Sequence, residues 1–101
     1  MTWVDAADAS LPDGTVVAVE AGGTLVALAK AAGAWYAVEA WCPHAECPLS
    51  DGWVEDAAIR CACHGSLFDL VTGDPLEGPA EEPVHVFPTR AMDGRVEIEL
   101  A

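Results

Sequence analysis

Glycine-centred turn signals recur along this 101-residue chain at intervals too short for long helices. They are Asp13-Gly14, Gly22-Gly23, Gly33, Asp51-Gly52, Gly73, Gly78-Pro79 and Asp93-Gly94. Between them lie apolar stretches of strand length: Thr15–Glu20, Thr24–Lys30, Trp35–Ala40, Ala57–Cys61, Val84–Pro88 and Arg95–Leu100. Arg95–Leu100 alternates polar and apolar residues, the period of a half-buried strand. Gly22-Gly23 and Asp93-Gly94 suit two-residue hairpins. The alanines of Leu25–Ala40 favour helix. Gly33 interrupts that run, however, and Trp35, Tyr36 and Val38 favour a sheet, so two strands are expected there. Many short strands predict an all-β fold, an antiparallel sandwich or barrel. Trp41–Val54 and Cys61–Glu82 read mainly as loops.

The length suits a single domain over residues 1–101, and 52% hydrophobic residues can supply one modest core. No long repeat, low-complexity tract or linker interrupts it. Four Lys and Arg face 17 Asp and Glu, for a net charge of −13. That sign argues against nucleic-acid binding and against docking on anionic membranes. It favours a partner with a basic docking patch. No segment has the ~18 apolar residues of a spanning helix. The first ten residues hold Asp5 and Asp8 and lack a basic, then apolar, leader pattern. A cytoplasmic chain is therefore expected.

Four cysteines could form a disulfide scaffold, with three possible pairings. A cytoplasmic location makes metal binding the better reading. All four sit in the two loop-like stretches, with two of the three histidines. The first loop reads Cys42-Pro43-His44-Ala45-Glu46-Cys47 and the second Cys61-Ala62-Cys63-His64-Gly65-Ser66. Each offers a thiolate and an imidazole, so two such loops can clamp a compact metal centre. Sixteen residues separate His44 from Cys61, enough for a strand pair to return the second loop beside the first.

This arrangement resembles the Rieske family, whose signature is Cys-x-His in one loop and Cys-x-x-His in another. The resemblance runs from about Trp35 to Leu100 and includes Gly65, Phe68-Asp69, Thr72-Gly73 and Gly78-Pro79-Ala80. It implies a Rieske-like antiparallel β fold with a cluster-binding subdomain of two hairpin loops at about 41–82. It also implies one Rieske-type [2Fe–2S] cluster per chain. Cys42 and Cys61 would hold the inner iron, and His44 and His64 the outer one. Two Fe³⁺, two sulfides, two thiolates and two neutral imidazoles sum to zero charge, which eases reduction. The class range is roughly −150 to +300 mV, against about −400 mV for plant-type ferredoxins. At high pH the imidazoles can lose their remaining protons, which lowers the potential.

Further residues acquire roles only through the resemblance. Cys47 and Cys63 match a subset of the family in which they form a disulfide joining the loops. Ser66 matches a hydroxyl that donates to a cluster sulfide, and Gly78-Pro79-Ala80 a proline loop covering the cluster. Phe68 stands where high-potential members carry tyrosine, which implies an intermediate potential. His85 reads as a strand-edge residue rather than a ligand. Trp41 and Trp53 are expected to pack the cluster region. No Lys or Arg occurs from Ala31 to Ile59, so the acidic residues around the loops form a candidate docking rim.

No nucleophile–base pair, phosphate loop or dinucleotide fingerprint is present. The chain therefore reads as a carrier, not an enzyme. It is similar to the Rieske ferredoxins of bacterial aromatic-ring oxygenase systems. That similarity implies a monomer taking electrons from a flavin reductase and passing them to a terminal oxygenase in aromatic hydrocarbon catabolism. One alternative is a redox subunit of another oxidoreductase, such as a nitrite reductase or an oxidase. Another is a structural zinc module, although Cys-x-His spacing is unusual for one.

Overall fold

In the computed structural model, which describes residues 2–42, 47–63 and 65–100, the turn signals separate short strands. In chain order these are β1 (Thr2–Asp8), β2 (Val16–Ala21), β3 (Thr24–Ala31), β4 (Ala34–Glu39), β5 (Trp53–Glu55), β6 (Ala58–Arg60), β7 (Leu67–Asp69), β8 (Pro75–Glu77), β9 (Val86–Phe87), β10 (Thr89–Met92) and β11 (Arg95–Leu100). One 3-10 turn, Leu49–Asp51, precedes β5. The strands form three antiparallel sheets, in the orders β1-β11-β10, β2-β3-β4-β9 and β5-β6-β7-β8.

Two-residue turns set the register of the long hairpins. Gly22-Gly23 and Asp93-Gly94 both take positive φ, as type I′ turns require. They pair Ala21 with Thr24 and Met92 with Arg95. Ala32-Gly33 makes the same turn between β3 and β4, so Gly33 ends one strand and starts the next. Gly73 works differently. Its φ is +82°, and a Cβ there would run into the Val84 carbonyl oxygen. That close approach lets the Val84 N–H donate to the Gly73 carbonyl at 2.9 Å.

The loop reading of Trp41–Val54 and Cys61–Glu82 needs correction. β5 ends the first stretch, and β7 and β8 lie inside the second. Each has three residues, too few to show a period in sequence. β1 escaped notice for another reason. Its register shifts between Asp5 and Ala7, a bulge that places exposed residues at Thr2, Asp5 and Asp8 instead of at alternate positions.

The sheet β2-β3-β4-β9 carries a core on each face. On one side Val26, Leu28, Trp35 and Ala37 pack with Val96 and Ile98 of β11. On the other, Ala27, Ala29, Ala31 and Val38 pack with Leu49, Ile59, Phe68, Leu70, Ala80 and Val84. Cys42, Cys47 and Cys61 belong to that second core. β3 is therefore buried on both faces over Val26–Ala29. This explains an alanine-rich strand: small side chains let the loop-bearing sheet pack close.

Leu28 is fully buried, so Leu28→Ala should cost roughly 2–5 kcal/mol in urea unfolding. A second prediction concerns acid. Asp5 is held below its ordinary value of 3.8, chiefly by the hydrogen bond from Arg95. A carboxylate with a lowered folded pKa stabilises fully above 3.8 and loses that contribution as pH falls below it. Asp5→Asn should therefore lower the urea midpoint slightly at pH 7, because the pair is exposed. The gap from wild type should shrink as pH falls below 3.8.

Candidate metal centre

Backbone hydrogen bonds close the base of each cysteine-bearing loop. In the first, Trp41 bridges Pro48, and the Cys42 N–H donates to the Cys47 carbonyl at 3.0 Å. The second continues the β6–β7 hairpin, where Arg60 pairs with Leu67. There the Cys61 N–H donates to the Ser66 carbonyl at 2.8 Å and the Gly65 N–H to the Cys61 carbonyl at 3.1 Å. Gly65 has φ +79°, which permits this tight return.

A disulfide between Cys47 and Cys63 ties the loops together, with the Cα atoms 6.3 Å apart. The sulfurs of Cys47, Cys61 and Cys63 lie within 4.8 Å of one another. Two of these sulfurs are bonded to each other, so the trio is not a three-thiolate site. The proximity instead sets the Cys61 thiol against the bridge that joins the loops. Cys42 and Cys61, the thiols outside the disulfide, are 3% and 0% exposed. Pro43, His44, Ala45, Glu46 and His64 lie outside the described residues, and with them the two candidate imidazoles.

Ser66 is fully buried, and its hydroxyl oxygen accepts from the Ala80 N–H at 3.0 Å. The segment expected to cover the site is thus fastened to the second loop. The hydroxyl hydrogen has no acceptor among the described residues. Phe68 is fully buried in β7. His85 is exposed, and its ring meets Phe87 edge-on at 4.6 Å. Trp41 and Trp53 depart from the expected packing: they are 50% and 48% exposed.

Sequence reasoning missed Arg60, which directly precedes Cys61. Its Nε and Nη2 donate to the Glu55 carboxylate at 2.6 and 2.9 Å, and its Nη1 donates to the Gly65 carbonyl at 2.7 Å. Nη2 also reaches Glu77 at 3.4 Å. Arg60, then the indole N–H of Trp53, holds Glu55 below the usual carboxylate range. Lone arginines are scarce in this chain, and one beside a candidate ligand was the available signal.

These residues fit an iron–sulfur group. Two loops each present a buried thiol, and a covalent bridge keeps the loops adjacent. A buried hydroxyl retains a donor, as an inorganic sulfide nearby would require. Two of the four cysteines are used in the bridge, which removes a four-cysteine zinc site from consideration.

Comparison with known proteins shows the family. Residues 2–88 match the family described as Rieske [2Fe-2S] domain. The chain is 34% identical to the naphthalene 1,2-dioxygenase system ferredoxin component of Pseudomonas aeruginosa, covering 98% of this chain and 96% of that protein. It is 42% identical over 65 residues to the anthranilate 1,2-dioxygenase ferredoxin subunit of Burkholderia cepacia, covering 64% of this chain and 60% of that one. Its fold matches a chain in the complex of reduced oxygenase and oxidized ferredoxin of carbazole 1,9a-dioxygenase, with TM-score 0.89, 31% identity, and 95% and 91% of the two chains covered. A putative NADH-dependent nitrite reductase small subunit from Mycobacterium tuberculosis is also similar, with TM-score 0.88, 27% identity, and 99% and 96% covered. The paired loops and the match over residues 2–88 establish that this chain belongs to the Rieske [2Fe–2S] domain family.

Proposed function

We propose that Cys42, His44, Cys61 and His64 hold the cluster, and that the chain carries single electrons from a flavin-dependent reductase to a terminal ring-hydroxylating oxygenase. The observation that carries this reading is the joined pair of loops, each with one buried thiol, in a chain whose relatives are ferredoxin components of dioxygenase systems. When bound, the cluster takes up and releases one electron. The protein's part is to bind it, exclude water from the thiol side, and supply donors from Ser66. The whole chain acts as one monomeric domain in the cytoplasm, with its cluster-binding part at about 41–82. Among the described residues, no helix is long and apolar enough to cross a membrane.

Charge supports a basic partner. Every cationic side chain of the protein is engaged internally. Lys30 donates to the Ala9 and Leu11 carbonyls, Arg60 pairs with Glu55 and Glu77, Arg90 with Glu97, and Arg95 with Asp5. Among the described residues, acidic groups outnumber these paired cations, and many of them, such as Asp13, Glu20, Asp51, Asp56, Glu81 and Glu82, are exposed. Electron transfer to a basic partner should therefore slow as ionic strength rises. A rate indifferent to salt in stopped-flow mixing counts against an acidic docking surface.

A second reading, a redox subunit of a nitrite reductase, draws on the likeness to the Mycobacterium tuberculosis small subunit. Co-purification separates the two: a terminal oxygenase supports the first, a large nitrite reductase subunit the second.

The ligand assignment has its own test. Alanine at Cys42, His44, Cys61 or His64 should abolish iron and acid-labile sulfide in the purified protein. Ser66→Ala should keep both and lower the reduction potential, since a donor to sulfur favours the reduced state. With phenylalanine at position 68, the wild-type potential should fall below the +300 mV end of the class range. Protein-film voltammetry measures both potentials. A Cys47→Ser, Cys63→Ser double variant should lower the thermal midpoint, as loss of a bridge typically costs ~2–4 kcal/mol.

A further inference from the structure

Trp53, Arg60, Leu67 and Glu77 form one cross-strand row over β5, β6, β7 and β8. Arg60 is the only cation in that row. Its guanidinium uses three nitrogens in three directions: a two-nitrogen fork onto Glu55, a longer contact to Glu77, and a 2.7 Å bond to the Gly65 carbonyl. The Trp53 indole N–H donates to Glu55 at 2.7 Å and steadies the carboxylate beneath the fork. A side chain one residue before Cys61 thus reaches across the loop and grips it one residue before Ser66.

The grip constrains more than a carbonyl. The peptide between Gly65 and Ser66 is planar and trans, so its N–H points opposite to its C=O. With the carbonyl turned to Arg60, the Ser66 N–H is turned away from the guanidinium. Ser66 is fully buried, and its N–H has no acceptor among the described residues. Its hydroxyl oxygen is held by the Ala80 N–H, which leaves the hydroxyl hydrogen to donate. A cation on the carbonyl also polarises the peptide and strengthens its N–H as a donor.

We infer that Arg60 is a positioning residue for the redox centre: by holding the Gly65 carbonyl, it orients the donors of Ser66 and thereby sets the reduction potential. This rests on the assignment of Cys61 and His64 as ligands. The role requires the planar fork, not merely a positive charge. Lysine has one nitrogen on a flexible stem and cannot hold Glu55 and Gly65 in the same geometry.

Arg60→Lys is therefore the decisive variant, measured in the iron-loaded protein by protein-film voltammetry and electron paramagnetic resonance. It should retain wild-type iron and sulfide while its potential falls. At the wild-type midpoint the reduced-to-oxidised ratio should drop several-fold, and the g-values should move. Arg60→Gln should show the larger effect, about tenfold in that ratio, which is ~59 mV for one electron. Glu77→Gln leaves the fork and the Gly65 bond in place and should leave the g-values unchanged. A loaded Arg60→Lys protein with wild-type potential and g-values overturns the inference, even if its thermal midpoint falls. Should Arg60→Gln fail to hold iron, Arg60→Lys alone decides. A wild-type protein lacking a two-iron spectrum would instead sink the ligand assignment, which separates the two failures.

Discussion

Strand β3 is buried on both faces, and the rest of the molecule is arranged around that constraint. One face must be sealed by β11, the other by the loop-bearing sheet. Neither core could exist without the shared strand. The division of side chains follows from the period of two: Val26 and Leu28 point one way, Ala27 and Ala29 the other. The alanine face is shallow, so Phe68, Leu70 and Ile59 come close to it. Through Cys42, Cys47 and Cys61, which pack in the second core, the cysteine-bearing loops are anchored to that face.

Short-range bonds hold the described parts of the loops. Each is closed by backbone hydrogen bonds at its base, and one disulfide joins the pair. Polar satisfaction inside this region is economical. Ser66 accepts from Ala80 and so fastens the Gly78-Pro79-Ala80 segment, while Asp69 caps the N–H groups of Val71 and Thr72 to set the turn leading towards it. Arg60 adds a charged contact to loop backbone. A redox centre benefits from such fixed dipoles, because little reorganisation is then needed when its charge changes.

Charge is distributed with the same economy. Three arginines and one lysine serve folding contacts, including cations over the rings of Trp3 and Trp35. Arg90 and Arg95 are exposed but paired with Glu97 and Asp5. Each cation of the chain has an intramolecular partner, and the 17 Asp and Glu far outnumber them, for the net charge of −13.

Sequence alone determined the turns, the long hairpins and the identity of the chemistry. Gly22-Gly23 and Asp93-Gly94 act locally, through φ values that few other residues adopt, so no tertiary context was needed to read them. The Cys-x-His and Cys-x-x-His spacings are likewise local, and they point to the family that the match over residues 2–88 shows. Tertiary structure decided what depends on distant partners. The three-residue strands β5, β7 and β8 exist because they pair within one sheet, β5 and β7 on either side of β6 and β8 beside β7, not because of their own pattern. The bulge in β1 hid its period. The half-exposure of Trp41 and Trp53 depends on which faces the three sheets leave open. Arg60 looks like any surface arginine until the β6–β7 hairpin folds its side chain back onto Gly65, and only then does it become part of the site.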